Sequence, residues 1–567
     1  VGAYAGDAIT TGTQNTAIGF ETLSANTTTG ESTAVGYRAL KAMTSGSRNN
    51  AIGTYASSQL TTGQYNESMG YGALYALTTG SNNVAIGYKS IHTATTASNN
   101  TGLGYYALNA NTTGSENTAV GKEAMYANTT GVNNTSVGVT SLYATTTGGN
   151  NTAVGQSSLK TNSTGGNNTA VGRIALFACT TGGYNTAVGN DCLKTLTTNS
   201  YCTAVGDYAL ANNTAQYMAA FGAQALGDNT TGEYNTGLGF RALRLNTTGI
   251  RNTGGGFDSM YSNTTGNYNT AYGNYSLRLN TTASYNTAIG DYALAQNTTG
   301  TQNCAVGGGG PLSANTTGSY NNALGSASLD ANTTGSYNTA VGTETLSANT
   351  TSNWNTALGY RAGRDTTGSQ NTFLGVDAGV TNTSGANNVY VGYDAGEAST
   401  SANGNTYLGF QAAASATSGG NNVAIGNNSG VDAVFSIGGH ADRIVLGNNS
   451  NTNAYIKIDW TVTSDKRDKI EDGTVGLGLN FVNKLNPKSF YFRKNRDSDE
   501  TAGQKRYGFF AQDILELEGS DNVIIDNEDP ENLKYKGEHL TPVLVNAIKE
   551  LSAENKALKA RLDAAGL

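Results

Sequence analysis

Side chains able to do chemistry are sparse in this 567-residue chain, and the most suggestive group is the run Thr463-Ser464-Asp465-Lys466-Arg467-Asp468-Lys469. A serine hydroxyl is a weak nucleophile until a neighbour takes its proton. A lysine can take it only once loss of water has made the amine neutral. By itself the run reads as an ordinary charged turn, with Ser464 and Lys469 as a nucleophile and base the sharper alternative. Cys179, Cys192, Cys202 and Cys304 form no C-x-x-C pair and match no zinc spacing, so they read as small residues filling structural positions. His92 and His440 are isolated and read as structural or solvent-facing, and His539 as packed or exposed rather than catalytic. Acidic residues before position 430 are scattered, so no glycosidase carboxylate pair can be named. No metal and no cofactor is expected.

The elements that must carry these groups follow from a repeat. A glycine, most often after Ala-Val or Ala-Ile, recurs every 17 residues from Gly19 to Gly206 and continues, with occasional steps of 16 or 18, to Gly426. One good copy is Asn117-Thr118-Ala119-Val120-Gly121, then Ala124-Met125, then Asn128-Thr129-Thr130-Gly131. Each unit offers about two large apolar side chains, such as Val120 and Met125, worth roughly 3–6 kcal/mol if buried. Ordering one unit costs on the order of 17–34 kcal/mol of backbone entropy. A unit cannot stand alone, but stacked units can, each giving the next its backbone partners. Thr-Ala-Val suits a short strand. Asn-Thr-Thr-Gly suits a turn, with an Asx-type cap and a glycine at positive φ. The pattern predicts a mainly β fold, a β-solenoid or β-roll with one coil per repeat. A single helical turn in the segment after the glycine, Tyr105 to Ala110 for instance, is the alternative there.

Composition narrows the classes. Charged residues are 13% of the chain, with 75 glycines and 32 tyrosines, and strict periodicity argues against disorder. The net charge of -8 comes without a basic stripe, which speaks against a nucleic-acid partner. No apolar run approaches the ~18 residues of a membrane span, so no membrane insertion is expected, and no signal peptide is seen. The chain starts at Val1, which suggests that an N-terminal part precedes it. The many Asn-x-Thr triplets read as repeated turns rather than glycosylation acceptors. An ice-binding threonine array is disfavoured because the adjacent threonines fall in those turns. Tyrosines recur five before the glycine (Tyr184, Tyr201, Tyr234) and just after it (Tyr88, Tyr105); stacking between coils explains them better than a sugar site does.

Three domains are expected: a shaft at 1–430, a β-rich neck or cap at 431–463, and a C-terminal domain at 464–567. The neck would include Arg443-Ile444-Val445-Leu446 and Tyr455-Ile456-Lys457-Ile458-Asp459-Trp460. Leu544, Ile548, Leu551, Asn555, Leu558 and Leu562 alternate steps of 4 and 3, a heptad seam that predicts a coiled coil over about 543–563. Asn555 sits at an a position, where a polar residue can fix register, and the Ile/Leu pattern taken alone would suit a dimer.

The repeats resemble the left-handed β-roll heads of trimeric bacterial adhesins and the repetitive shafts of phage tail fibres. The C-terminal segment resembles the intramolecular chaperone auto-processing domain of phage endosialidases, tail spikes and tail fibres. Its matching elements are Ser464-Asp465-x-Arg467-x-Lys469, Leu477-Gly478-Leu479 to Leu485-Asn486-Pro487, Tyr507-Gly508-Phe509-Phe510-Ala511-Gln512, and Leu540-Thr541-Pro542-Val543 onward to Ile548. It departs in being shorter than the endosialidase version and in carrying Arg506 where some members have His. The resemblance implies a homotrimeric tail fibre, made in the host cytoplasm and carried on the virion. Its α+β chaperone domain would end in a coiled coil and cut the Thr463–Ser464 bond once, in cis. Ser464 would be nucleophile and Lys469 base, with burial at a trimer interface drying the lysine. Asp465 and Arg467 would orient the loop or pair across chains. No external substrate is implied. Partners would be a host cell-surface receptor, a glycan or outer-surface protein, and other virion tail proteins. A bacterial trimeric adhesin head is the alternative, but the ~10-residue amphipathic strands of a barrel anchor are not found at this C-terminus. A polysaccharide-degrading tail spike would need the missing carboxylate pair.

Overall fold

The computed structural model describes residues 2–432, 436–451, 454–455, 457, 463–494, 496–520 and 522–566. They fall into two compact units, Val1–Val376 and Asp377–Leu567. The first unit is a parallel β-solenoid. Three-residue strands, one per repeat, run from β1 (Thr16–Ile18) to β22 (Thr372–Leu374), each paired with the same strand one repeat on. Between β7 (Thr118–Val120) and β8 (Thr135–Val137), Thr118 lies opposite Thr135, Ala119 opposite Ser136 and Val120 opposite Val137. The segment after the glycine is not helical. Tyr106 and Leu108 have φ of 55° and 52°, outside the right-handed helical region.

Pleating decides what is core. Side chains alternate along a strand, so a three-residue strand sends only its central residue inward. Ala119 is fully buried, while Thr118 and Val120 stay partly exposed. This corrects the expectation that Val120 is a core residue: the interior residue of the strand is Ala119, and Met125 after the glycine is fully buried with it. The turn glycine also has a different reason from the expected one. Gly131 is not at positive φ; a Cβ there would lie 2.4 Å from both Asn128 Oδ1 and the Gly148 carbonyl oxygen. Close approach between coils demands the glycine. Gly121 needs its identity twice over, with φ +133° and a virtual Cβ 2.6 Å from the Gly138 oxygen.

Two buried asparagine columns tie the coils together. Asn134 donates its backbone N–H to Asn117 Oδ1 (3.1 Å) and its Nδ2 to the Gly148 carbonyl (2.9 Å). In the second column, Asn263 Nδ2 donates to Asn246 Oδ1 (2.7 Å) and to the Gly266 carbonyl (3.1 Å), and Asn280 repeats the pattern on Asn263. The threonine turn is likewise bonded between coils: Thr129 donates its amide and its hydroxyl to the Thr146 carbonyl, both at 2.9 Å. Exposed rings stack in files, as Tyr184, Tyr201, Tyr217 and Tyr234 do at 5.2–5.6 Å between centroids.

The second unit opens on the same kind of coil, β23 (Val389–Val391) to β26 (Ile444–Leu446), again parallel and one strand per turn. Here core volume is exchanged. Tyr390 fills the strand centre where other coils carry Ala, and Gly396 stands where they carry Leu; a Cβ on Gly396 would lie 2.7 Å from the Tyr390 ring. Of the expected neck, Ile444-Val445-Leu446 forms β26, whereas Ile456, Ile458, Asp459 and Trp460 lie outside the described residues. A small mixed region follows: helix α1 (Leu479–Val482), the hairpin β27 (Lys488–Arg493) and β28 (Thr501–Gly508), α2 (Ala511–Glu518), the short pair β29 (Ile525–Asp526) and β30 (Lys534–Tyr535), and α3 (Leu540–Ala564). Its core gathers Phe481, Ile514, Ile524, Ile525, Leu540 and Val543.

The second asparagine column is broken where Thr145 and Cys179 replace Asn, and the buried Asn128 Oδ1 and Asn162 Oδ1 are left without a hydrogen bond. Thr145→Asn supplies the missing amide to Asn128 Oδ1, and its own Oδ1 replaces the hydroxyl that Asn162 Nδ2 reaches at 3.5 Å; Asn162 Oδ1, which looks to position 179, stays unpaired. A thermal melt is expected to show stabilisation of about 1 kcal/mol per restored bond; a lower melting temperature would contradict the ladder's role.

Candidate functional site

The run that opens the C-terminal segment folds on itself. Asp465 caps a 3-10 turn over Lys466–Asp468, accepting the Arg467 N–H at 2.9 Å. The Arg467 guanidinium bonds the same carboxylate (Nη2 to Oδ2, 2.5 Å) and holds it below the usual carboxyl range. The turn returns the chain so that Lys469 Nζ reaches Ser464 Oγ at 2.7 Å. The two residues singled out for covalent chemistry are thus in hydrogen-bond contact, and the two expected to orient the loop bond each other within it. Lys469 itself is exposed in the single chain.

Thr463, Ser464 and Lys469 line one side of a cleft of about 570 Å³. Its other walls are mainly apolar, Val475 and Leu477, Val523 and Ile524, and Pro542 and Val543 of α3, with the carboxylates of Glu518 and Glu538 among them. His539 lines it too, with Nδ1 2.8 Å from the Val523 carbonyl. These walls come from segments tens of residues apart, and no local spacing announces them; only the apolar character of 475–477 and 523–524 hints at burial. Glu518, buried beside the cleft, is occupied structurally, accepting the backbone N–H groups of Ile524 and Ile525. Asn546 anchors α3 to the cleft rim through the Leu477 carbonyl (3.0 Å), and Glu550 accepts the Leu479 N–H (2.6 Å). Arg506 lies over the Phe492 ring, 5.3 Å from its centroid.

Beyond Ala547 no described residue of the helix is buried. Leu544, Ile548, Leu551, Leu558 and Leu562 are 39–65% exposed, and Asn555 is exposed with them. The predicted seam therefore exists as an unpaired apolar face on a 25-residue helix.

Asn128, within an Asn-Thr-Thr triplet, is fully buried, which closes it to a glycosylating enzyme in the folded chain. His92 bonds the Gly72 carbonyl at 2.7 Å and stacks on Tyr75. Among the described residues no three His, Cys, Asp or Glu side chains gather to hold a metal ion, and no helix is long and apolar enough to cross a membrane. No family model matches the chain, and neither the curated proteins nor the solved structures include a match.

Burial pushes the thiols of Cys179 and Cys202 up to about 11 and that of Cys192 up to about 12. The thiolate is the reactive form. At about pH 8 a thiol reagent is expected to label half-buried Cys304 first and the other three only after denaturation. Rapid labelling of Cys192 in the native protein would contradict its placement.

Proposed function

We propose that the chain is the shaft of a homotrimeric phage tail fibre, attached to the virion with other tail proteins and directed at a host-surface glycan or outer-surface protein. Segment 464–567 assists assembly and then cuts itself away at Thr463–Ser464. The observation that carries the reading is the 2.7 Å approach of Lys469 Nζ to Ser464 Oγ at the side of a mainly apolar cleft. The resemblance of the repeats and of the C-terminal motifs supplies the rest.

The chemistry runs through the serine next to the scissile bond. Neutral Lys469 takes the proton of Ser464 Oγ, and the oxygen adds to the Thr463 carbonyl carbon. The C–N bond breaks as Lys469 returns the proton to the Ser464 nitrogen, leaving an ester between Thr463 and Ser464 Oγ. Water hydrolyses the ester to a Thr463 carboxylate and a Ser464 with free amino and hydroxyl groups. The step that limits it is drying the lysine, since an ammonium in water holds its proton. Assembly provides the drying. Pro542 and Val543 wall the cleft, and the next residue, Leu544, begins the exposed seam, so helices that pair along α3 close over the cleft's edge. Cleavage then reports completed assembly.

On a denaturing gel, wild-type protein is expected to release the fragment 464–567, Ser464→Ala none, and Lys469→Ala at a rate lower by at least ~100-fold. Intact wild-type chain in a fully assembled sample would remove the cleavage and leave the shaft.

A further inference from the structure

We infer that the outward apolar column of the first unit is the surface along which copies of this chain lie against one another, coil for coil. The inference rests on the homotrimer proposed above and names the surface that joins its shafts.

The third residue of every strand from β1 to β22 points outward, and none of the 22 is charged. Ile18, Ile52, Ile86, Val154, Leu238 and Leu358 are 36–46% exposed, whereas the other outward position of the same strands, the first, is threonine in four of the six. The only glycine in the column, Gly255, is overlain by the Tyr272 ring of the next coil, so the apolar surface is not interrupted there. At this exposure the column leaves on the order of 1,000 Å² of apolar surface. That exceeds both the few hundred Å² of an ordinary monomer patch and the roughly 800 Å² per partner of a standard interface.

The occupant follows from the spacing. Each column residue stands in register with its counterpart one repeat away, from Thr16–Ile18 onward. A surface that matches such a column over its whole length must carry the same pitch, and a second copy lying parallel does so by construction of its sequence. Lack of charge means that like copies do not repel. In a trimer equivalent residues meet only along the three-fold axis, so a column lying on that axis brings Val154 of one chain to Val154 of the next. The tyrosine file at 184–234 is a poorer candidate, because its rings are already stacked face to face within the chain.

The test is cysteine cross-linking in the full chain. Val154→Cys lies in the column; Tyr184→Cys, 58% exposed, lies outside it. Under mild oxidation, Val154→Cys is expected to give linked chains on a non-reducing gel at least ~10-fold more than Tyr184→Cys or the parent, whose three buried thiols and half-buried Cys304 set the baseline. Light scattering on the same samples reads the number of copies, and the cleavage band is scored separately. A trimer in which the two positions link equally, or in which Val154→Cys does not link, overturns the column while leaving the trimer. A monomer overturns both.

Discussion

A buried amide that bonds the backbone of the neighbouring coil is the interaction on which the solenoid depends. An asparagine in this fold cannot satisfy itself: its Oδ1 waits for an N–H one repeat later, and its Nδ2 for a carbonyl of the following turn, as Asn134 shows with Gly148. Leaving such a group unpaired in the interior costs about 1–3 kcal/mol. Every coil is therefore incomplete until the next is laid down in one particular register. That is why a sequence so short of large apolar side chains orders at all: the entropy of each unit is met jointly with its neighbours.

The same closeness dictates the backbone. Coils approach so tightly that a Cβ at Gly131 would strike both an asparagine and the next chain of carbonyls. Between the glycines, bulky residues accept conformations they normally avoid: Leu108, Met125 and Leu142 sit at φ near +50°. Each costs on the order of 1 kcal/mol. Full burial of those side chains, worth about 1.5–3 kcal/mol apiece, outweighs it. The exchange of Ala and Leu for Tyr390 and Gly396 keeps the interior filled by a different division of volume.

Much of this was legible in the chain because the repeat states the architecture directly: the position of the strand, the coil per 17 residues and the heptad seam all follow from spacing. The errors share one cause. Val120 reads as core by its hydrophobicity, but only the pleat decides which of three strand residues points inward. Asn128 and Gly131 read as local turn chemistry, but their partners lie one coil away, beyond any window of neighbouring residues. At the candidate site the run alone reads as a charged turn, with the Ser464–Lys469 pair the alternative; the resemblance supplies the roles of Asp465 and Arg467, and neither foresees the Asp465 cap. The cleft is missed too, because Val475, Val523 and Pro542 meet only after folding.

Native-state hydrogen exchange on an Asn269→Leu variant tests the ladder most directly. The substitution takes from the Asn286 N–H its acceptor and from the Ala283 carbonyl a donor. If coils hold one another in place, faster exchange should spread through the coils on both sides of residue 269. Protection lost at the Asn286 amide alone, with neighbouring coils unchanged, would mean that the coils stand independently and that the ladder does not bind them.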